Sequence, residues 1–130
     1  LLRTAAWFDI KNIILSHGSA DPFNPKVVRS AMGAHFYVRT GCYPIDEILQ
    51  TLSEKNIQTI GASMDGKPLR EIAGEVSDNW ALILGSEAHG FPNEVETEFD
   101  LNVTISGGGQ IESLNVAVAG GIILQQLVNG

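Results

Sequence analysis

The chain has 130 residues, enough for one sizeable core and too few for two ordinary domains, so a single domain is expected. It is 44% hydrophobic and 18% charged, which excludes a disordered or fibrous protein; no apolar run reaches the ~20 residues that cross a bilayer, and the expectation is a cytoplasmic protein with no membrane partner. The net charge of −7 argues against nucleic-acid binding by bulk electrostatics, yet residues 1–40 carry +3 and residues 41–130 carry −10, so a polyanion would meet the N-terminal third.

The opening residues LLRTAAWFD read as a helix without a capping residue, and the chain is expected to be the remainder of a longer protein. KNIIL (11–15) reads as a strand. Asn24 followed by Pro25 then offers an N-cap and a proline at the first helical position of PKVVRSAMG. HFYVRT (35–40) is strand-like, and PIDEILQTLSEK (44–55) places Ile45, Ile48, Leu49 and Leu52 at helical spacing. Next come a strand at IQTIGASM (57–64), a turn at Asp65 and Gly66, and a short helix at REIAGEV (70–76). WALILGS (80–86) reads as a buried strand, EVETEF (94–99) as a helical turn or two, LNVTIS (101–106) as a strand, and SLNVAVAGGIILQQLV (113–128) as the last helix. Strands alternating with helices predict an α/β fold with a mainly parallel sheet and helices on both faces.

Cys42 is the only cysteine, which rules out an internal disulfide and a thiolate cluster, and it reads as a small half-buried side chain. His17, His35 and His89 lack metal-ligand spacing, so no metal is expected.

Two glycine-bearing loops follow predicted strand ends: GSEAHGFP (85–92) and GGGQIES (107–113). In an open parallel sheet, ligands bind outside the carboxyl ends of the strands, so both loops stand where a site belongs. Neither cradles phosphate by a known pattern. Gly85 and Gly90 have the first spacing of a P-loop, but Phe91 and Pro92 occupy the Lys and Ser/Thr places, and Gly107, Gly108 and Gly109 lack the later glycine of a dinucleotide fingerprint. Glu87 and Glu112 would also repel an anion, whereas a sulfonium or amine would be tolerated. Ser113 reads as the N-cap of the last helix, with Asn115 in its first turn, able to orient a hydroxyl or phosphate. That helix is apolar nearly all round and keeps Gly120 and Gly121 at a cost of roughly 1 kcal/mol each, which predicts a place deep in the core or in a tight helix contact, including one between subunits.

NPKVVRSAMGAHF (24–36), LILGSEAHGFPNEV (82–95) and ISGGGQIESLNVAVAGGIIL (105–124) closely resemble the three successive sequence blocks of the SpoU, or TrmH-like, RNA 2′-O-ribose methyltransferases of the SPOUT superfamily. The resemblance covers essentially the whole chain, with the blocks in family order. It implies a C-terminal deep trefoil knot, an exception to the un-knotted rule. It also implies S-adenosylmethionine as cofactor, RNA (tRNA or rRNA) as substrate and a homodimer. Matched position by position, Gly85, Ile105 and Leu114 contact the cofactor, largely through backbone groups. Glu87, Ser113 and Asn115 match the polar residues around the reaction centre, and Arg3 matches the arginine of the first block. Asn-x-Gly normally precedes that arginine and is missing, and the usual Phe-Gly ending reads Phe8 and Asp9.

The resemblance implies transfer of the sulfonium methyl to a ribose 2′-oxygen without a metal. Arg3 is read as a cation that clamps the neighbouring phosphate and steadies the developing alkoxide, because a guanidinium does not serve readily as a base. Ser113 and Asn115 would orient the ribose, Glu87 would hold Arg3 or the sugar, and Arg29 and Arg39 are further candidates for RNA backbone contacts. The alternative is a knotted module that binds cofactor or RNA without turnover. An unrelated nucleotide-binding α/β enzyme fails on the motifs above.

Overall fold

The computed structural model describes residues 2–16, 39–85, 99–107 and 115–129. The chain divides into two compact units, Leu1–Gln50 and Thr51–Gly130.

In the first unit, α1 (Leu2–Trp7) turns its small Ala5 into the interior and leaves Arg3 and Trp7 exposed. It ends in a Schellman closure: the Ile10 N–H donates to the Ala5 carbonyl at 2.9 Å and the Asp9 N–H to the Ala6 carbonyl at 3.1 Å. Asp9 takes the left-handed backbone that this closure demands, with φ of 60°. The aspartate standing where the resemblance expects glycine therefore adopts the glycine-like conformation. Strand β1 (Asn12–Ser16) pairs in parallel with β2 (Arg39–Tyr43), from Asn12 opposite Arg39 to Ser16 opposite Tyr43. The expected end of the second strand at Thr40 is too early, because the parallel ladder with β1, which local propensity does not contain, continues to Tyr43. Cys42, expected to be half-buried, is exposed.

Helix α2 (Ile45–Glu54) follows Pro44, whose carbonyl accepts from the Ile48 N–H at 3.1 Å, and Asp46 and Glu47 in its first turn complement the helix dipole. Its apolar stripe, Ile45, Ile48, Leu49 and Leu52, is half-buried throughout. It closes as α1 does, with Asn56 left-handed at φ 56° and the Ile57 N–H bonded to the Leu52 carbonyl at 2.9 Å.

The second unit is built on a three-stranded parallel sheet in the order β4-β3-β5, where β3 is Gln58–Pro68, β4 is Trp80–Ile83 and β5 is Leu101–Thr104. Ile60, Val103, Ile72 and Ile123 form its buried centre, with Leu82, Leu84, Leu101 and Ile105 packed around them. Strand β3 is buried at Thr59, Ile60 and Gly61, whereas β4, expected to be buried, is half-buried along its whole length. A latch joins β3 to the entry of β5: the Thr59 N–H donates to Asp100 Oδ2 at 2.9 Å, and the Asp100 N–H donates to the buried Thr59 Oγ1, also at 2.9 Å.

The expected helix at 70–76 is only a 3₁₀ turn, Leu69–Glu71, which delivers Ile72 to the core at 1% exposure. A left-handed glycine and the contacts of two side chains override its helical pattern. Gly74 is left-handed at φ 89°. The Gln58 side chain donates to the Glu75 carbonyl at 2.8 Å and accepts from the Ser77 N–H at 2.8 Å. Lys67 meets the Glu75 carboxylate at 2.8 and 2.9 Å. The segment is held as a loop by partners distant in sequence, and a helix would break all three arrangements.

Helix α3 (Val116–Asn129) packs against this turn and buries Gly120, Ile123 and Leu124, while Val118, Ile122 and Val128 stay exposed. It starts later than expected, at Val116 rather than Ser113. The helix predicted at PKVVRSAMG and most of EVETEF lie outside the described residues.

Candidate functional site

Because β3, β4 and β5 run in parallel, their carboxyl ends share one edge of the sheet. Ile83 of β4 and Asn102 of β5 both stand opposite Gly61 of β3. Just beyond them, β4 runs out into Leu84 and Gly85, and β5 into Ile105, Ser106 and Gly107. The two loops expected to form a site therefore leave the same rim. Ile105 is packed against the core cluster, which anchors the start of its loop, and Gly85 is half-buried. Gly107 is exposed, and among the described residues, its chain neighbours aside, no atom lies within 4 Å of the place a Cβ would occupy.

The middle strand contributes a third side that the reading of the sequence missed. Ala62 and Lys67 both pair with Val103, so residues 63–66 leave the ladder and return to it. The return is tight: a Cβ on Gly66 would stand 2.6 Å from the Val103 backbone nitrogen and carbonyl carbon. Met64, on this excursion, is 77% exposed. The available signal was the turn at Asp65 and Gly66 inside a strand-like run; the return to β5 is invisible without the pairing partner.

Asn115 sits immediately before α3 and is its N-cap: Oδ1 accepts from the Val118 N–H at 3.0 Å, and the backbone carbonyl accepts from the Ala119 N–H at 2.9 Å. This corrects the expectation that Ser113 caps the helix and Asn115 lies in its first turn. Asparagine caps as well as serine, and Asn115 is the one that directly precedes the apolar stretch. With Oδ1 engaged, the Nδ2 hydrogens are the side chain's remaining donors.

Of the other sequence-predicted site residues, Arg3 is exposed on α1 in the first unit. Glu87, Ser113 and Leu114 lie outside the described residues. The structure thus brings Gly85 and Ile105 to one rim. Residues 63–66, 84–85 and 105–107 include no basic residue, and Lys67, next along β3, is engaged by Glu75, so the described residues of this rim offer no free cation for a phosphate cradle.

Residues 1–125, nearly the whole chain, match the SpoU rRNA Methylase family in sequence. The chain belongs to the SpoU rRNA methylase family. It is 34% identical over 128 residues to the 23S rRNA (guanosine(2553)-2′-O)-methyltransferase RlmP of Bacillus subtilis, an alignment covering 98% of this chain and 51% of that protein. Among solved structures, it resembles the AdoMet-bound rRNA methyltransferase of Sinorhizobium meliloti with a TM-score of 0.91 and 28% identity, over 97% of this chain and 48% of that one. It also resembles the SpoU methyltransferase AviRb of Streptomyces viridochromogenes in complex with AdoMet, with a TM-score of 0.85 and 26% identity, over 98% of this chain and 52% of that one. The chain spans about half the length of the relatives it matches. Among the described residues, no helix is long and apolar enough to cross a membrane.

Proposed function

We propose that this SpoU-family chain is the catalytic part of an S-adenosylmethionine-dependent RNA methyltransferase that methylates a ribose 2′-hydroxyl of rRNA or tRNA in the cytoplasm. The observation that carries the reading is the similarity, over 98% of the chain, to a 23S rRNA guanosine 2′-O-methyltransferase.

The strand-end rim suits the cofactor. Among its described residues, 63–66, 84–85 and 105–107 carry no basic side chain to demand a phosphate, Gly107 is exposed, and the backbone is held in place by the packing of Ile105. Gly85, Ile105 and, by sequence match, Leu114 would hold S-adenosylmethionine, largely through main-chain groups. When bound, it supplies an electrophilic methyl group. The protein's own task is to position a poorly acidic ribose hydroxyl and let its proton leave to phosphate or water. Arg3 clamps the adjacent phosphate and stabilises negative charge growing on the 2′-oxygen. Asn115 donates through Nδ2 to the ribose while its Oδ1 stays on the Val118 N–H. Ser113 assists in orienting the ribose, and Glu87 steadies Arg3 or the sugar.

The rival reading, a module that binds without turnover, drew on the start of the first block before Arg3, and the change at Phe8 and Asp9 is a second departure there. Asp9 takes the left-handed conformation that glycine would, and α1 closes normally through Ala5 and Ala6, so this departure counts little against activity.

The C-terminal trefoil knot and the homodimer belong to the same proposal. The exposed aliphatic residues Val118, Ile122 and Val128 on α3 support a partner there, since an exposed apolar strip marks an interaction surface. Sedimentation of wild type and Ile122→Glu tests it: a wild-type dimer and a monomeric variant are expected, and a monomeric wild type refutes it.

The decisive experiment incubates the full-length protein with labelled S-adenosylmethionine and bulk RNA and maps the 2′-O-methyl positions. Methyl transfer is expected in wild type and nearly absent in Arg3→Ala, with cofactor affinity unchanged by calorimetry. Cofactor binding without methyl transfer to any rRNA or tRNA would leave only the binding module.

A further inference from the structure

We propose that Trp7 is a stacking platform for an unpaired RNA base flanking the methylated nucleotide. The inference rests on the reading of the chain as an RNA methyltransferase, and deepens it by naming a contact on the substrate.

Trp7 is 83% exposed. It lies four residues after Arg3 in α1, and at 100° per residue the two sit about 40° apart around the helix, on neighbouring turns of one face. Ala5 is on the opposite face and buried, so the burial pattern fixes which side of α1 is outward. Among the described residues none forms an ion pair with Arg3, whereas Lys11, the other described cation near α1, is engaged by Asp9. The exposed strip therefore combines an exposed indole with a guanidinium that no described residue engages in an ion pair. That combination fits a nucleic acid better than an apolar protein partner: a guanidinium meets phosphate, and an aromatic ring one step away meets the π-face that every base presents. The large exposed side chains Val118, Ile122 and Val128 of α3 make the contrast, being aliphatic on a helix that carries no cation. The charge balance agrees, since residues 1–40 hold Arg3, Lys11, Lys26, Arg29 and Arg39 against Asp9 and Asp21. An unpaired strand is favoured over duplex because its bases can be splayed onto a ring.

The test measures binding of a labelled single-stranded oligoribonucleotide of mixed sequence to the full-length protein by fluorescence anisotropy, across a salt series. Trp7→Ala is expected to weaken binding by roughly 5- to 150-fold, the range for one lost base stack, with the salt dependence unchanged. Trp7→Phe should recover most of the loss, and Trp7→Lys should not, despite its added charge. Arg3→Ala should instead flatten the salt slope by about one. Cofactor binding and melting temperature should stay at wild-type values in the Trp7 variants. If wild type methylates RNA and Trp7→Ala binds the oligoribonucleotide equally well, the stacking role is overturned while the enzymatic reading stands. A change in sedimentation without a change in RNA affinity overturns it in favour of a protein contact. A wild-type protein that neither binds nor methylates RNA overturns both.

Discussion

Replacing Gly66 by alanine tests the passage of β3 over β5 that closes one side of the rim. An ideal Cβ there stands 2.6 Å from the nitrogen and from the carbonyl carbon of Val103, and 2.7 Å from the carbonyl carbon of Asn102. Carbon atoms rest about 3.5–4.0 Å apart, so the overlap is on the order of 1 Å against three main-chain atoms. A side chain could rotate away; a paired strand whose Val103 is fully buried cannot. Overpacking that side chains absorb costs roughly 1–3 kcal/mol, and the backbone clash puts Gly66→Ala at the upper end, about 3 kcal/mol. With roughly 3–4 °C per kcal/mol for a chain of this size, the melting temperature should fall by about 10 °C in far-ultraviolet circular dichroism. Gly107→Ala is the control: its Cβ enters open space and its backbone is not left-handed, so it should melt within about 2 °C of wild type. Any loss of S-adenosylmethionine affinity in that control would then report the ligand rather than the fold. Wild-type melting in Gly66→Ala would refute the packing of residues 63–66 on β5.

Asn115→Ala should cost about 1 kcal/mol in urea denaturation through loss of the cap, whereas Asn115→Asp should keep the cap and the stability but lose methyl transfer, having no Nδ2 donor. Thr59→Val removes the acceptor of the Asp100 N–H and should destabilise by about 1–2 kcal/mol, visible as a lower urea midpoint at unchanged slope. Asp9→Gly should raise stability by roughly 0.5–1 kcal/mol, because glycine takes the left-handed backbone with less strain; a drop would show that the contact between Asp9 and Lys11 matters more than the backbone.

The elements most legible in the sequence were those whose signal is local. The amphipathic spacing of Ile45, Ile48, Leu49 and Leu52 marked α2, and the apolar runs around Ile60, Leu82 and Val103 marked the three strands of the second sheet. The site was partly legible for the same reason: glycines following strand ends identify where backbone can approach a ligand, and the absence of a nearby lysine was enough to discard a phosphate loop. The failures came where a distant partner decided the outcome. The segment 70–76 has helical composition but yields to Gln58 and Lys67, and Asn115 rather than Ser113 caps α3 through a bond that depends on where the packed helix begins.

By itself, then, the sequence determined the α/β alternation, the parallel strands, the family and the pair of strand-end loops, since each is written in side-chain periodicity or in contiguous blocks of residues. Only the tertiary structure decided that residues 63–66 leave β3 and return over Val103, that Asp9 and Asn56 carry left-handed closures, and that Trp7 shares an outward face with Arg3. Those features depend on which atoms meet across the sheet and on which side of a short helix is buried, and neither is set by the local order of residues.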